Sequence, residues 1–417
     1  MNPVNPLYRL LVAALLLLSV ASSVSAGAPA TPDPAATPAT PATPAVAADV
    51  TPYPLSAEPT AIIVSATNDP FRVPGSDGMD HLEYDLIVTN IMPADLTLTS
   101  VDVTASSGDP LLQLTGDDLV SATQPVLGGT PTPAIAAGTT VAVVIDVAVT
   151  RGTPVDTLNN QVTYSYPDDA FGVAIIGSYV VSGPELTVDI RQPIVIASPL
   201  RGDGWMSFNA CCSAASIHRY IRVPADGNRI AKAETFAVDW IQLRDGAYAE
   251  GDGSAVEDWY DFGADVMSVA DGTVVYARDD MPEEATNQRA SHVFKPEDYA
   301  GNQVIVQIAP DVYALYAHLQ TGSVAVAVGD RVATGQPIGK LGNSGNTTGP
   351  HLHFSLLDSP NPLTGESLPM VIDSYTLEGT ISPDQLAGTA GPPDLTPQGP
   401  AQPQTATFPL WLAVSSF

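Results

Sequence analysis

Three of the chain's six histidines fall between positions 318 and 353: His318 in Tyr316-Ala-His-Leu319, and His351 and His353 in Gly349-Pro-His-Leu-His-Phe354. Alternate residues of a β-strand point to one face, so His351 and His353 can aim both imidazoles at a single spot, as a metal ion or the water beside it requires. An isolated pair of this kind also reads as the exposed polar face of a strand, and its surroundings decide between the two. Around it run Asn302–Ile308, Tyr313–Leu319 and Gly329–Gly339, then the turn series Gly342–Pro350, then His351–Phe354. Short apolar runs punctuated by glycine predict a β-meander that brings two histidine-bearing strands together.

This array resembles the lysostaphin/LytM-type zinc metallopeptidases, which cut peptide bonds in bacterial peptidoglycan. The resemblance covers residues 228–358 and is most specific at its C-terminal end. It implies that His353 is a zinc ligand and that His351 and His318 are catalytic beside the metal. The family's other two ligands form a His-x-x-x-Asp motif entering the first core strand, and the matching segment here is Thr235-Phe-Ala-Val-Asp239. Asp239 takes the ligand position, whereas Thr235 stands where the family has histidine.

A third protein ligand is needed, because a catalytic zinc keeps three and leaves one position open. His218 lies on the alternating run Ser216–Val223, joined to Ile230–Trp240 through Asp226-Gly227, a signal for a two-residue hairpin. If those two residues form the loop, Ala225 pairs with Asn228 and His218 falls opposite Thr235. Its imidazole then sits about 5 Å away at Cβ on the same face and becomes the candidate third ligand. In a straight strand positions 235 and 239 are about 13 Å apart, so the chain must bend near Phe236–Val238. His292 reads as a loop residue, and His81 as structural or exposed.

Zinc held by two imidazoles and a carboxylate lowers the pKa of its water toward 7 and polarises a carbonyl, while His351 and His318 handle the proton and the oxyanion. The resemblance thus implies a zinc endopeptidase acting on peptidoglycan peptides, and the N-terminal segment over residues 1–26 makes the expected protein a secreted one. Thr235 keeps a second reading open: a degenerate, non-catalytic domain that binds peptidoglycan or regulates another cell-wall hydrolase.

Arg9 followed by the apolar run Leu10–Val20 and by Val24-Ser-Ala26 reads as a secretory signal peptide over residues 1–26, which gives an extracytoplasmic, cell-wall-associated localisation. No other segment reaches the length of a membrane span. Residues 27–54 are a Pro/Ala/Thr-rich linker. The expected fold is all-β, with an immunoglobulin-like β-sandwich over 55–192 and a LytM-type β-sheet domain over 193–382. A Pro-rich linker over 383–407 follows, and then a terminal strand or partner contact over 408–417. The role of the sandwich is not legible, a substrate-binding or spacer module being the generic expectation.

With 15 Lys and Arg against 45 Asp and Glu, the net charge of −30 argues against nucleic acid and anionic membranes as partners. The acidic insertion Asp252–Asp261 lacks a calcium-loop spacing and reads as a solvated surface loop. Cys211 and Cys212, the only cysteines, are adjacent, which suits neither a Cys-x-x-Cys clip nor an ordinary disulfide. A vicinal disulfide and a reduced buried pair are the alternatives.

Overall fold

The computed structural model describes residues 58–126, 128–388 and 393–417. The signal peptide and the linker expected over 27–54 lie outside the described residues. Nearly all regular structure is β, as the short alternating runs imply. Among the described residues no helix is long and apolar enough to cross a membrane.

The N-terminal part is a two-sheet sandwich. One sheet is built on Met79–Asn90 and Thr140–Thr150, the other on Leu96–Ala105 and Thr157–Ser165. Their inward residues form one core in which Leu82, Tyr84 and Leu86 meet Leu98, Val101 and Val162. His81 is buried at the end of this sandwich, where its ring nitrogens bond Asp146 and Asp77 at 2.8 and 3.3 Å, a structural position.

The C-terminal part is an 11-stranded sheet. Its centre runs Trp205–Phe208, Val238–Gln242, Leu352–Leu357, Val312–Leu319, Asn302–Ala309, each antiparallel to the next. Val238, Trp240, Leu352 and Phe354 enter the core on one face, so Asp239 and His353 between them face the other way.

Residues 402–407 do not behave as a linker. Gln402–Thr407 pairs with Met370–Thr380, and Pro403 is accommodated because this strand lies on the sheet's edge and owes no second set of hydrogen bonds. Ala413–Ser416 then inserts between Met370–Thr380 and Trp205–Phe208. The tail also grips the sandwich: Phe408 is buried, its carbonyl accepts from the Ser76 amide at 2.9 Å, and Gln404 reaches the Ser76 carbonyl at 3.2 Å. Cys211 and Cys212 form a vicinal disulfide buried in the core.

Candidate metal centre

Phe208, Asp239, His353 and Ala317 are successive cross-strand partners, so they form one row across the sheet. Within it Asp239 Oδ1 lies 2.9 Å from His353 Nδ1. Ala317, being small, leaves open space above the row.

A regular strand would turn His318 to the opposite face from Ala317. Instead the pairing slips between Asn302 and Val304, leaving an extra residue on the His318 strand, and His318 adopts a left-handed φ of 61°. Such a bulge re-aims one side chain, and here it brings the His318 ring to 4.8 Å from that of His351 and 5.8 Å from that of His353. Two close backbone approaches fix the rings. Gly301, at φ 64°, has no room for a Cβ against the Ser344 carbonyl, which accepts from His318 Nδ1 at 2.8 Å. Gly349 similarly lies flat against the Trp259 ring, and its carbonyl accepts from His351 Nδ1 at 2.8 Å. A carbonyl can only accept, so both rings carry hydrogen on Nδ1 and present a bare Nε2 to the cleft.

His218 reaches the same place, but not as a strand residue. The Asp226-Gly227 hairpin encloses Asn228 as well, with Ala225 pairing with Arg229, and its strands are only Val223–Ala225 and Arg229–Ala231. His218 is therefore not the cross-strand partner of Thr235. It sits on a 3-10 turn, Ile217–Tyr220, and the turn over residues 233–236 supplies the bend that the Thr235–Asp239 spacing demands. Its ring nevertheless comes close to Asp239. His218 Nδ1 lies 3.3 Å from the Ala237 carbonyl, and its Nε2 lies 3.2 Å from Asp239 Oδ2.

The donor atoms of His218, Asp239 and His353 all lie within 4.8 Å of one another, and all three residues are buried. Two imidazole nitrogens and one carboxylate oxygen at this spacing suit zinc. A second group, His81, Glu83 and Cys212, lacks the chemistry, since Cys212 is spent in the disulfide and His81 is held by Asp77 and Asp146.

Electrostatics support the same division of roles. Burial opposes charge on His218, yet Asp239, and then Glu234, raise its pKa to about 9. Burial also opposes ionisation of Asp239, but His218 and then His351 hold its carboxyl well below the usual range. Burial, then His351 and His353, push His318 well below the ordinary histidine value, and burial lowers His351. Both shifts favour the neutral form of His318 and His351.

Three contributors were not foreseen from sequence. Asn209, at φ 51°, donates to Asp239 Oδ2 at 2.8 Å and orients the carboxylate. Glu234 is a buried carboxylate on the cleft wall, 3.6 Å from His218 Nε2 and 3.4 Å from the Tyr299 hydroxyl. A glutamate inside the largely apolar Ile230–Trp240 run was a readable signal; nothing in the sequence marks Asn209. Tyr299 follows the 3-10 turn Pro296–Asp298 near the end of the 279–300 loop and is placed by tertiary folding alone. The cleft has a volume of about 270 Å³. The 242–265 and 279–300 insertions form one rim, where Thr286 Oγ1 donates to Gly253 O at 2.8 Å. Within the acidic insertion Asp261 is buried, unlike the solvated loop expected, because it faces the main chain of Gln242. His292 stays in a loop, paired with Glu284 at 3.0 Å.

Residues 259–364 match peptidase family M23, a stretch that holds His318, His351 and His353 and begins after His218 and Asp239. Peptidoglycan DD-endopeptidase ShyA of Vibrio cholerae is 42% identical over 65 residues, which are 16% of this chain and 15% of that protein. ShyC, of the same name and organism, is 41% identical over 71 residues, 16% of each chain. The chain therefore matches under one fifth of the length of either relative. The lysostaphin catalytic domain from Staphylococcus simulans aligns over 32% of this chain and 77% of its own, at 24% identity and a TM-score of 0.21. The motifs around His318, His351 and His353 thus lie within the one stretch, residues 259–364, that is similar to peptidase family M23.

Proposed function

We propose that this chain is an exported, zinc-dependent endopeptidase that hydrolyses peptide bonds in bacterial peptidoglycan. The observation that carries the reading is the convergence of His218, Asp239 and His353 donors beside two neutral histidines in one cleft. The names of the M23 relatives supply the substrate class, and the signal-like residues 1–26 supply the compartment. The non-catalytic alternative drew its force from Thr235, and a His218 already within reach of Asp239 weakens it.

Zinc bound by His218, Asp239 and His353 would polarise the scissile carbonyl and acidify water. The chain's own residues handle the protons. As the water oxygen bonds to the carbonyl carbon, a bare Nε2 of His318 or His351 takes up the proton, and the resulting N–H faces the developing oxyanion. When the C–N bond breaks, that proton passes to the leaving amine nitrogen. Trp259, Ile241 and Leu315 line the cleft and reduce its water content, which strengthens each of these contacts.

The test is digestion of purified peptidoglycan by the mature protein. Zinc-loaded protein should release peptides carrying new amino and carboxyl termini, a chelator should stop release, and added zinc should restore it. Product formation that is indifferent to chelation, or cleavage confined to the glycan strands, would contradict the proposal.

A further inference from the structure

The turn that carries His218 has no side-chain cap and belongs to no sheet, so its position must come from elsewhere. Successive residues of a 3-10 turn point about 120° apart, so His218 can face the cleft while Arg219 faces away from it. Arg219 enters the N-terminal sandwich, where it pairs with Glu83 and, at 3.2 Å, with Asp85. Arg222 places Nε and Nη2 on the other oxygen of Asp85, at 3.1 and 2.8 Å, and Lys232 adds a third cation at 3.4 Å. The Tyr220 hydroxyl donates to the Ser121 carbonyl at 2.6 Å, again in the sandwich.

Every member of this cluster is buried, Glu83 and Asp85 completely. Buried charges are tolerated only when paired, and a pair of this kind has one geometry. The His218 turn cannot slide along the sandwich without leaving a buried carboxylate or guanidinium alone. Glu83 and Asp85 stand on Met79–Asn90, over 130 residues before the turn in sequence, and no sheet hydrogen bond joins that strand to the His218 turn. The ion cluster, with the Tyr220 hydroxyl bond, is what locks the two together.

We propose that the sandwich is a structural part of the metal centre, with Glu83 and Asp85 as positioning residues that hold His218 through Arg219 and Arg222. This rests on the reading of His218 as the third ligand. It also gives the sandwich a specific role, because a domain whose expected ligand position holds Thr235 takes its histidine from a turn, and a turn needs external support.

The experiment is a double-mutant cycle read as zinc affinity, by chelator competition on the full mature chain. E83M/R219M replaces one ion pair by apolar side chains of similar size, an exchange that often leaves stability intact, and it leaves Asp85 with Arg222 and Lys232. It should weaken zinc binding by about 10- to 100-fold, the usual cost of losing support behind a ligand. In the H218A background the same pair should change affinity by no more than about twofold, since the coupling partner is gone. R222K, which keeps the charge but loses the two-nitrogen fork on Asp85, should behave alike and decides the matter if E83M/R219M does not fold. Unchanged affinity in a folded variant, or an equal loss with and without His218, overturns the proposal. If H218A itself leaves affinity untouched, the assignment of the zinc site fails first.

Discussion

Replacing His351 or His318 by alanine should lower kcat on peptidoglycan peptides by about 10² or more while the protein keeps its zinc. Both rings are locked by a hydrogen bond from Nδ1 to a backbone carbonyl, Gly349 for His351 and Ser344 for His318. Burial favours the neutral form of both, which leaves the lone pair of Nε2 free to accept a proton. Neither ring belongs to the group of donors that converges for a metal. Activity and metal content should therefore separate: turnover collapses and the zinc stoichiometry stays. Unchanged turnover in either variant would remove that residue from the mechanism.

Loss of a ligand should look different. Asp239→Ala, His353→Ala and His218→Ala should each weaken zinc binding by more than the roughly 10- to 100-fold that a supporting residue costs. Asp239→Ala should be the most severe, because its carboxylate is the only ligand charge and both its oxygens are engaged, Oδ1 with His353 and Oδ2 with His218 and Asn209. Its removal also leaves two buried imidazoles facing each other, with ring centroids 4.9 Å apart and no anion between them. Metal analysis of the purified variants checks this directly. Stoichiometric zinc in an Asp239→Ala/His353→Ala double mutant would place the metal elsewhere.

The legible parts of the site were those governed by local periodicity. Asp239 and His353 sit on strands whose neighbours Val238, Trp240, Leu352 and Phe354 are buried core residues, and the period of two then fixes their direction. His318 was identified by the company it keeps, since no propensity rule anticipates a histidine at φ 61° within a bulge. His218 lies on a different element from the one its sequence suggests, a 3-10 turn and not a strand. The alternation of Ser216–Val223 imitates a strand, but Arg219 and Arg222 bury their charges in the sandwich, and that tertiary pairing overrides the pattern. The Gln402–Thr407 edge strand was hidden for the opposite reason: Pro- and Gln-rich composition reads as linker, while an edge position tolerates Pro403.

The most direct test of the account is X-ray diffraction from zinc-soaked crystals at the zinc absorption edge. The predicted result is one anomalous peak about 2.1 Å from His218 Nε2 and His353 Nδ1, with Asp239 oxygen completing the set and His318 and His351 beside it. No peak at this site, or a peak on Asp239 and His353 with the His218 ring more than about 5 Å away, would contradict it.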